Sequence, residues 1–242
     1  MRTLLSAFLL AFFALILSPA ASAQAGSFQV SQLGHPIGTA SFNFSATPDG
    51  FNSTSLVRVS TKGFDYALSK TEILSAANKL KHVQLSALVN GSAVEITAAP
   101  DSAQFLVNIS ANGRSSTTRL ASHPAAVFLP DLDPGALETL LTLAVTHNNR
   151  DLWAVLPKQS GTQPASIVPV QLATYADQQG TLDGKPIAVH HLVATFAGAS
   201  TDLFSGPENQ LLQAELPQSG FVLVRKGFVL TPPAKPQSPP SM

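Results

Sequence analysis

Polar and apolar residues alternate along most of the chain. Over residues 37–46, Ala40, Phe42 and Phe44 fall on one side and Ser41, Asn43 and Ser45 on the other, a period of two that predicts a strand with one wet face. The stretch 28–33 alternates likewise, and Gly34, His35 and Pro36 break the two runs into a first hairpin. A third strand follows Pro48, Asp49 and Gly50, with Leu56, Arg58 and Ser60 opposing Val57, Val59 and Thr61, and Gly63 leads into Phe64, Tyr66 and Leu68. Asn90-Gly91 joins strands at 82–89 and 94–98, and Asn112-Gly113 joins strands at 104–110 and 115–120. Asn-Gly between alternating runs is a strong hairpin signal, so the first half reads as an antiparallel meander.

Two segments depart from period two. Over 69–80, Ser69 and Glu72 have capping-box spacing and Ile73, Ala76, Ala77 and Leu80 recur at helical intervals, which predicts a short helix. The clearer helix lies at about 134–147. Asp133 is placed to cap it, Pro134 suits its first turn, Leu137, Leu140, Leu141 and Ala144 share a face, and Asn148 and Asn149 stop it. Strands resume at 152–156, with Trp153, then at 167–175, 187–196, 201–204, 211–216 and 221–229, with an Asp183-Gly184 turn among them. The expected architecture is mainly β: a large curved antiparallel sheet, half-barrel-like, with one inserted helix. A sheet of that size must curl, close or split, so a division into two stacked sub-sheets joined near 130–150 is the alternative.

The two ends read differently from the body. Arg2, the apolar run from Ala7 to Leu17, Pro19, and then Ala21, Ser22 and Ala23 have the form of a secretory signal cut after residue 23. The run falls short of the ~20 residues a spanning helix needs, so no membrane anchor is expected after cleavage. The expected protein is therefore a single domain over 24–230, periplasmic or extracellular. Residues 231–242, rich in proline, are expected to be a disordered or polyproline-like tail.

Composition narrows the function. The chain has 14 basic and 14 acidic residues and no basic cluster, which argues against a nucleic-acid partner. It has no cysteine, so neither disulfides nor an acylated cysteine near the leader enter the account. Asn43, Asn52, Asn90 and Asn108 begin Asn-x-Ser/Thr triplets, which matter only in a host that glycosylates exported chains.

The opening Gly34, Ile37, Gly38, Thr39, Phe42 and Phe44 resembles the first hairpin of uncharacterised bacterial periplasmic proteins whose fold is similar to that of the lipoprotein carriers. Asp202, Leu203 and Phe204, followed by Leu211, Leu212, Glu215, Leu216, Pro217 and Gly220, look like their closing hairpin. The resemblance implies a strongly curved half-barrel with helical elements against its concave face. In the carriers that face shelters acyl chains, and the resemblance maps no binding residue onto a position of this chain.

No set of residues specifies a reaction, a metal or a cofactor. His190 and His191 are adjacent on a strand and so face opposite ways, and His35, His82, His123 and His147 lack ligand spacing. Asp131 and Asp133, with His123, form a candidate acid–base cluster, against which Asp133 has a simpler role as a helix cap. No Gly-x-Ser-x-Gly elbow occurs, and Ser69 has Glu72 where a Ser-x-x-Lys motif needs lysine. The leading expectation is a non-enzymatic exported protein that binds a lipid, another hydrophobic ligand or an apolar partner segment in the concavity, with Leu137, Leu141 and Trp153 as candidate lining residues. The alternatives are an envelope interaction domain with a filled core and a protein partner, and an extracytoplasmic hydrolase.

Overall fold

The computed structural model describes residues 24–158 and 164–232. The expected signal cleavage, and the tail beyond residue 232, lie outside the described residues. Eight strands follow one another as an antiparallel meander: β1 (Ala25–Gln32), β2 (His35–Thr47), β3 (Gly50–Thr61), β4 (Phe64–Ser75), β5 (Leu80–Val89), β6 (Ser92–Asp101), β7 (Gln104–Ala111) and β8 (Arg114–Ala121). Then come β9 (Ala126–Phe128), the helix α1 (Pro134–Thr146), β10 (Leu152–Leu156), β11 (Ser166–Thr174), β12 (Gln178–Leu182), β13 (Lys185–Phe196), β14 (Ala199–Ser205), β15 (Leu211–Leu216), β16 (Phe221–Arg225) and β17 (Phe228–Leu230).

All 17 strands belong to one open, curved sheet that is not closed into a barrel. The two halves meet where β1 pairs antiparallel with β16, Val30 lying opposite Leu223. From there the ladder runs through β2 to β8 in one direction, and through β15, β14, β13, β11 and β10 in the other. The short β9 ends that side by pairing parallel with β10, which makes the sheet mixed. β12 branches off β13 and pairs with β17, over a small second core of Val189, Phe204, Leu212 and Phe228.

The turns follow the sequence. Asn90-Gly91, Asn112-Gly113 and Asp183-Gly184 each have positive φ at both residues, the backbone that suits two-residue hairpins and that Asn, Asp and Gly adopt most readily. The stretch 221–229, expected as one strand, is two: Lys226 and Gly227, with φ of 84° at the glycine, turn the chain between β16 and β17.

The expected helix at 69–80 is absent. β4 continues to Ser75 and β5 begins at Leu80. Tyr66, Leu68, Lys70, Glu72 and Leu74 all point inward with period two, and a lysine and a glutamate at two of those inward positions hide the alternation from a hydropathy reading.

α1 lies in the concavity, against β2, β3, β9 and β15. From Pro134 to Leu141 every residue is buried, which marks a helix enclosed by protein rather than one with a single apolar face. Asp133 caps it as expected, accepting from the amides of Gly135 at 2.9 Å and Ala136 at 3.2 Å. Thr139 and Thr142 donate to the carbonyls of Gly135 and Glu138, so these hydroxyls are satisfied within the helix. A side chain at Gly135 would collide with Ser55 Oγ and lie 3.0 Å from Phe42 Cβ, so glycine there lets the first turn dock onto β2 and β3.

Candidate functional site

The first turn of α1 sits on charges buried in the sheet. Lys70 Nζ lies 3.1 Å from Glu72 Oε2 and 2.7 Å from Asp133 Oδ2, with all three side chains fully enclosed. Strand register builds the cluster: Ser53 is opposite Glu72 and Ser55 opposite Lys70, so four polar side chains of β3 and β4 face the helix cap. Burial opposes the charge on Lys70, but Asp133 and Glu72 outweigh it and raise its pKa. Burial raises the Glu72 carboxyl as well, against the pull of Lys70. Among the described residues the hydroxyls of Ser53 and Ser55 and Glu72 Oε1 have no hydrogen-bond partner, whereas Asp133 Oδ2 faces the Lys70 ammonium. All three charged side chains are shut off from solvent, and through Asp133 the cluster anchors the first turn of α1 to β4.

A second buried carboxylate ties the helix to the other half of the sheet. Glu138 Oε2 accepts from the amide of Leu211 in β15 at 2.7 Å, and its other oxygen accepts from the Gln24 side chain. Burial pushes its pKa up to about 7, against the Leu211 amide and the nearby Arg225.

Beside the anchored end of α1 a cleft of about 420 Å³ opens between the helix and one rim of the sheet. Phe64, Tyr66 and Val89 contribute from β4 and β5, Phe196 and Leu216 from β13 and β15, and Leu137 from the helix. Phe64 stacks on Tyr66 with ring centres 5.9 Å apart and meets Phe221 at 5.8 Å, so this wall is continuous with the core. Tyr66 donates its hydroxyl to the carbonyl of Asp131 at 3.1 Å, which joins β4 to the segment leading into α1. The polar side chains of the lining besides that phenol are Asp131, Lys158 and Thr201. The Asp131 carboxyl is raised by loss of solvent around it, against the attraction of Lys158. An apolar hollow with a few polar groups, at the lower end of the ~300–1,000 Å³ usual for ligand pockets, is suited to one small or slender apolar molecule.

The three expected lining residues are dispersed. Leu137 lines the cleft, whereas Leu141 lines a separate recess of about 300 Å³ at the C-terminal end of α1. Trp153 borders neither and stacks on His123 with ring centres 3.7 Å apart. His123 borders a third recess of about 280 Å³ near β8 and β9. The candidate cluster of His123, Asp131 and Asp133 is likewise divided, His123 at Trp153, Asp131 at the cleft and Asp133 at the cap. His190 and His191 face opposite sides of β13, paired with Asp177 at 3.0 Å and Asp202 at 2.8 Å. Among the described residues no three His, Asp or Glu side chains converge as a metal site.

Sequence reasoning missed the aromatic wall at Phe64, Tyr66 and Phe196 and the buried Lys70 and Glu72. The inward alternation of 66, 68, 70, 72 and 74 was the available signal for the second pair. No protein-family model matches the chain, no curated protein is significantly similar to it, and no solved structure matches its fold.

Proposed function

We propose that this is an exported protein that binds, without transforming it, a hydrophobic ligand, an acyl chain or a comparable apolar segment, in the cleft between α1 and the rim of its curved sheet. The observation that carries the reading is the cleft itself: Phe64, Val89, Phe196, Leu216 and Leu137 converge on a hollow of about 420 Å³ whose polar groups are few. Lys158, Asp131 and Thr201 suit the polar end of an amphiphile, leaving its hydrocarbon against the aromatic wall. The resemblance of the two terminal hairpins to proteins folded like the lipoprotein carriers agrees with a sheltered acyl chain. The leader with Arg2, its apolar run and Ala21 to Ala23 supports a periplasmic or extracellular location.

Titration of delipidated protein with an environment-sensitive fatty-acid probe tests the binding. Saturable binding is expected, weakened at least ~10-fold by Phe196→Asp, which sets a desolvated charge on the wall. Trp153→Ala, outside the cleft, leaves it unchanged. Absence of binding by a folded sample overturns the reading. Intact mass of the native protein tests export, with loss of the first 23 residues as the expected result.

One observation favours a second reading, an envelope interaction domain with a filled core. α1 occupies much of the concavity, with Leu140 and Leu143 wholly enclosed, so the sheet shelters its own helix first. Co-purification of a stoichiometric protein with an empty cleft would favour that alternative.

A further inference from the structure

The recess at the C-terminal end of α1 contains an arrangement that a reading along the chain does not reveal. β13 has neighbours on both sides there. On one side β14 sets Ser205 directly opposite His190. On the other, the chain passes from β11 to β12, and Asp177 in that connection places Oδ1 3.0 Å from His190 Nδ1. The imidazole is thus flanked by a carboxylate on one side and a hydroxyl residue on the other.

Directly opposed residues of an antiparallel pair share a face, with Cβ atoms about 4.5–5.5 Å apart. His190 and Ser205 both line the recess of about 300 Å³, together with Leu141 and Ala144 of the helix and with Asn149 and Asn209. Ser205 is 1% exposed, at the floor, while the His190 side chain is 41% exposed. Among the described residues, no hydrogen bond engages the Ser205 hydroxyl or His190 Nε2. The two are therefore uncommitted neighbours, as in free enzymes whose catalytic hydrogen bonds tighten only around substrate.

We propose that Ser205, His190 and Asp177 form an acyl-transfer site that hydrolyses small carboxylic esters. Ser205 Oγ attacks the ester carbonyl carbon as His190 Nε2 takes its proton. The tetrahedral intermediate collapses with cleavage of the bond to the alcohol oxygen, which leaves with the proton from His190. Water, deprotonated by the same nitrogen, then attacks the acyl-serine, releasing the carboxylic acid and restoring the hydroxyl. Asn149 and Asn209 are lining residues with neutral N–H donors in their side chains, the kind of group that stabilises a developing oxyanion. Asp177 is a positioning residue: its hydrogen bond at Nδ1 leaves Nε2 as the basic nitrogen. Its side chain is 57% exposed, so water screens its charge and its contribution is smaller than that of an enclosed carboxylate. The narrow recess limits the acyl group to a short one.

Diisopropyl fluorophosphate, followed by intact mass and peptide mapping on the purified folded protein, provides the test. The expected result is a single adduct on Ser205, absent from Ser205→Ala and formed at least ~100-fold more slowly in His190→Gln. Asp177→Asn slows it by a few-fold, and p-nitrophenyl acetate hydrolysis follows the same order. Thermal unfolding of each variant shows whether it is folded. His190→Asn serves as a second variant if His190→Gln is not. No adduct in a folded sample, an adduct elsewhere, or labelling of a folded His190 variant at the wild-type rate overturns the proposal. Fatty-acid probe binding by Ser205→Ala is read in parallel, so failure here is separable from failure of the cleft reading.

Discussion

The two ends of α1 are held in different ways. At its N-terminal end the helix is tied down by charge and close approach: Asp133 caps the first turn and meets Lys70, Gly135 lies against Ser55 and Phe42, and Glu138 reaches the Leu211 amide. At its C-terminal end Leu141 and Ala144 pack by aliphatic contact beside an open recess, and Val145 is already 57% exposed. Directional polar contacts fix the position of one end, whereas aliphatic contacts alone leave room beside the other. The same protein therefore combines a locked anchor with hollows that can take a small molecule.

The largest expected effect comes from breaking the anchor. Lys70→Met strips the partner from two enclosed carboxylates and should destabilise the fold by about 3–5 kcal/mol, read from denaturant midpoints. Combining it with Glu72→Leu and Asp133→Ser, which keeps a capping hydroxyl, should recover much of that loss, because apolar replacement of a buried ion group is often neutral. Recovery would show the charges to be replaceable; none would show that they specify the helix position.

Glu138 makes the anchor sensitive to pH. Its folded pKa of about 7 exceeds the unfolded value, so its contribution to stability is full below the ordinary carboxylate range and falls as pH rises through neutrality. Raising pH from 4.5 to 8 should remove about 3 kcal/mol through this group, and burial of Glu72 acts in the same direction. Glu138→Gln should flatten most of that slope in unfolding measurements across pH.

Gly135→Ala forces a methyl into Ser55 and Phe42 and should cost about 1–3 kcal/mol. Val145→Ser at the loose end should change stability by no more than about 0.5 kcal/mol. If Val145→Ser proved as damaging as Gly135→Ala, the contrast between the two ends would not stand.

Much of the fold was legible where local chemistry and tertiary environment agree. The alternation of Ala40, Phe42 and Phe44 marked β2, Asn90-Gly91 and Asn112-Gly113 marked hairpins, and Asp133-Pro134 marked the start of α1. Legibility failed where an inward residue was not apolar. Lys70 and Glu72 hid the alternation of β4, while Ser69 and Glu72 imitated a capping box, because the enclosure of the two charges depends on Asp133, more than sixty residues away in the chain. The short β9 and β12 carried too few residues for a periodic signal, and Lys226-Gly227 divided a run whose hydropathy is continuous. Of the three lining residues expected from their apolar side chains, only Leu137 faces the cleft, because a pattern assigns a face to a residue without saying what lies opposite it.

By itself the sequence determined the strand period, most of the turns and the extent of α1, since these depend on side-chain spacing and on φ preferences over a few residues. Tertiary structure alone decided that the helix lies within the curved sheet on a buried ionic anchor. It also decided that Phe64 meets Leu137 and Phe196 across a hollow, and that Asp177, His190 and Ser205 become neighbours. Those relations arise from strand pairings between distant parts of the chain, and their energies depend on burial, which exists only once the sheet has curved around its helix.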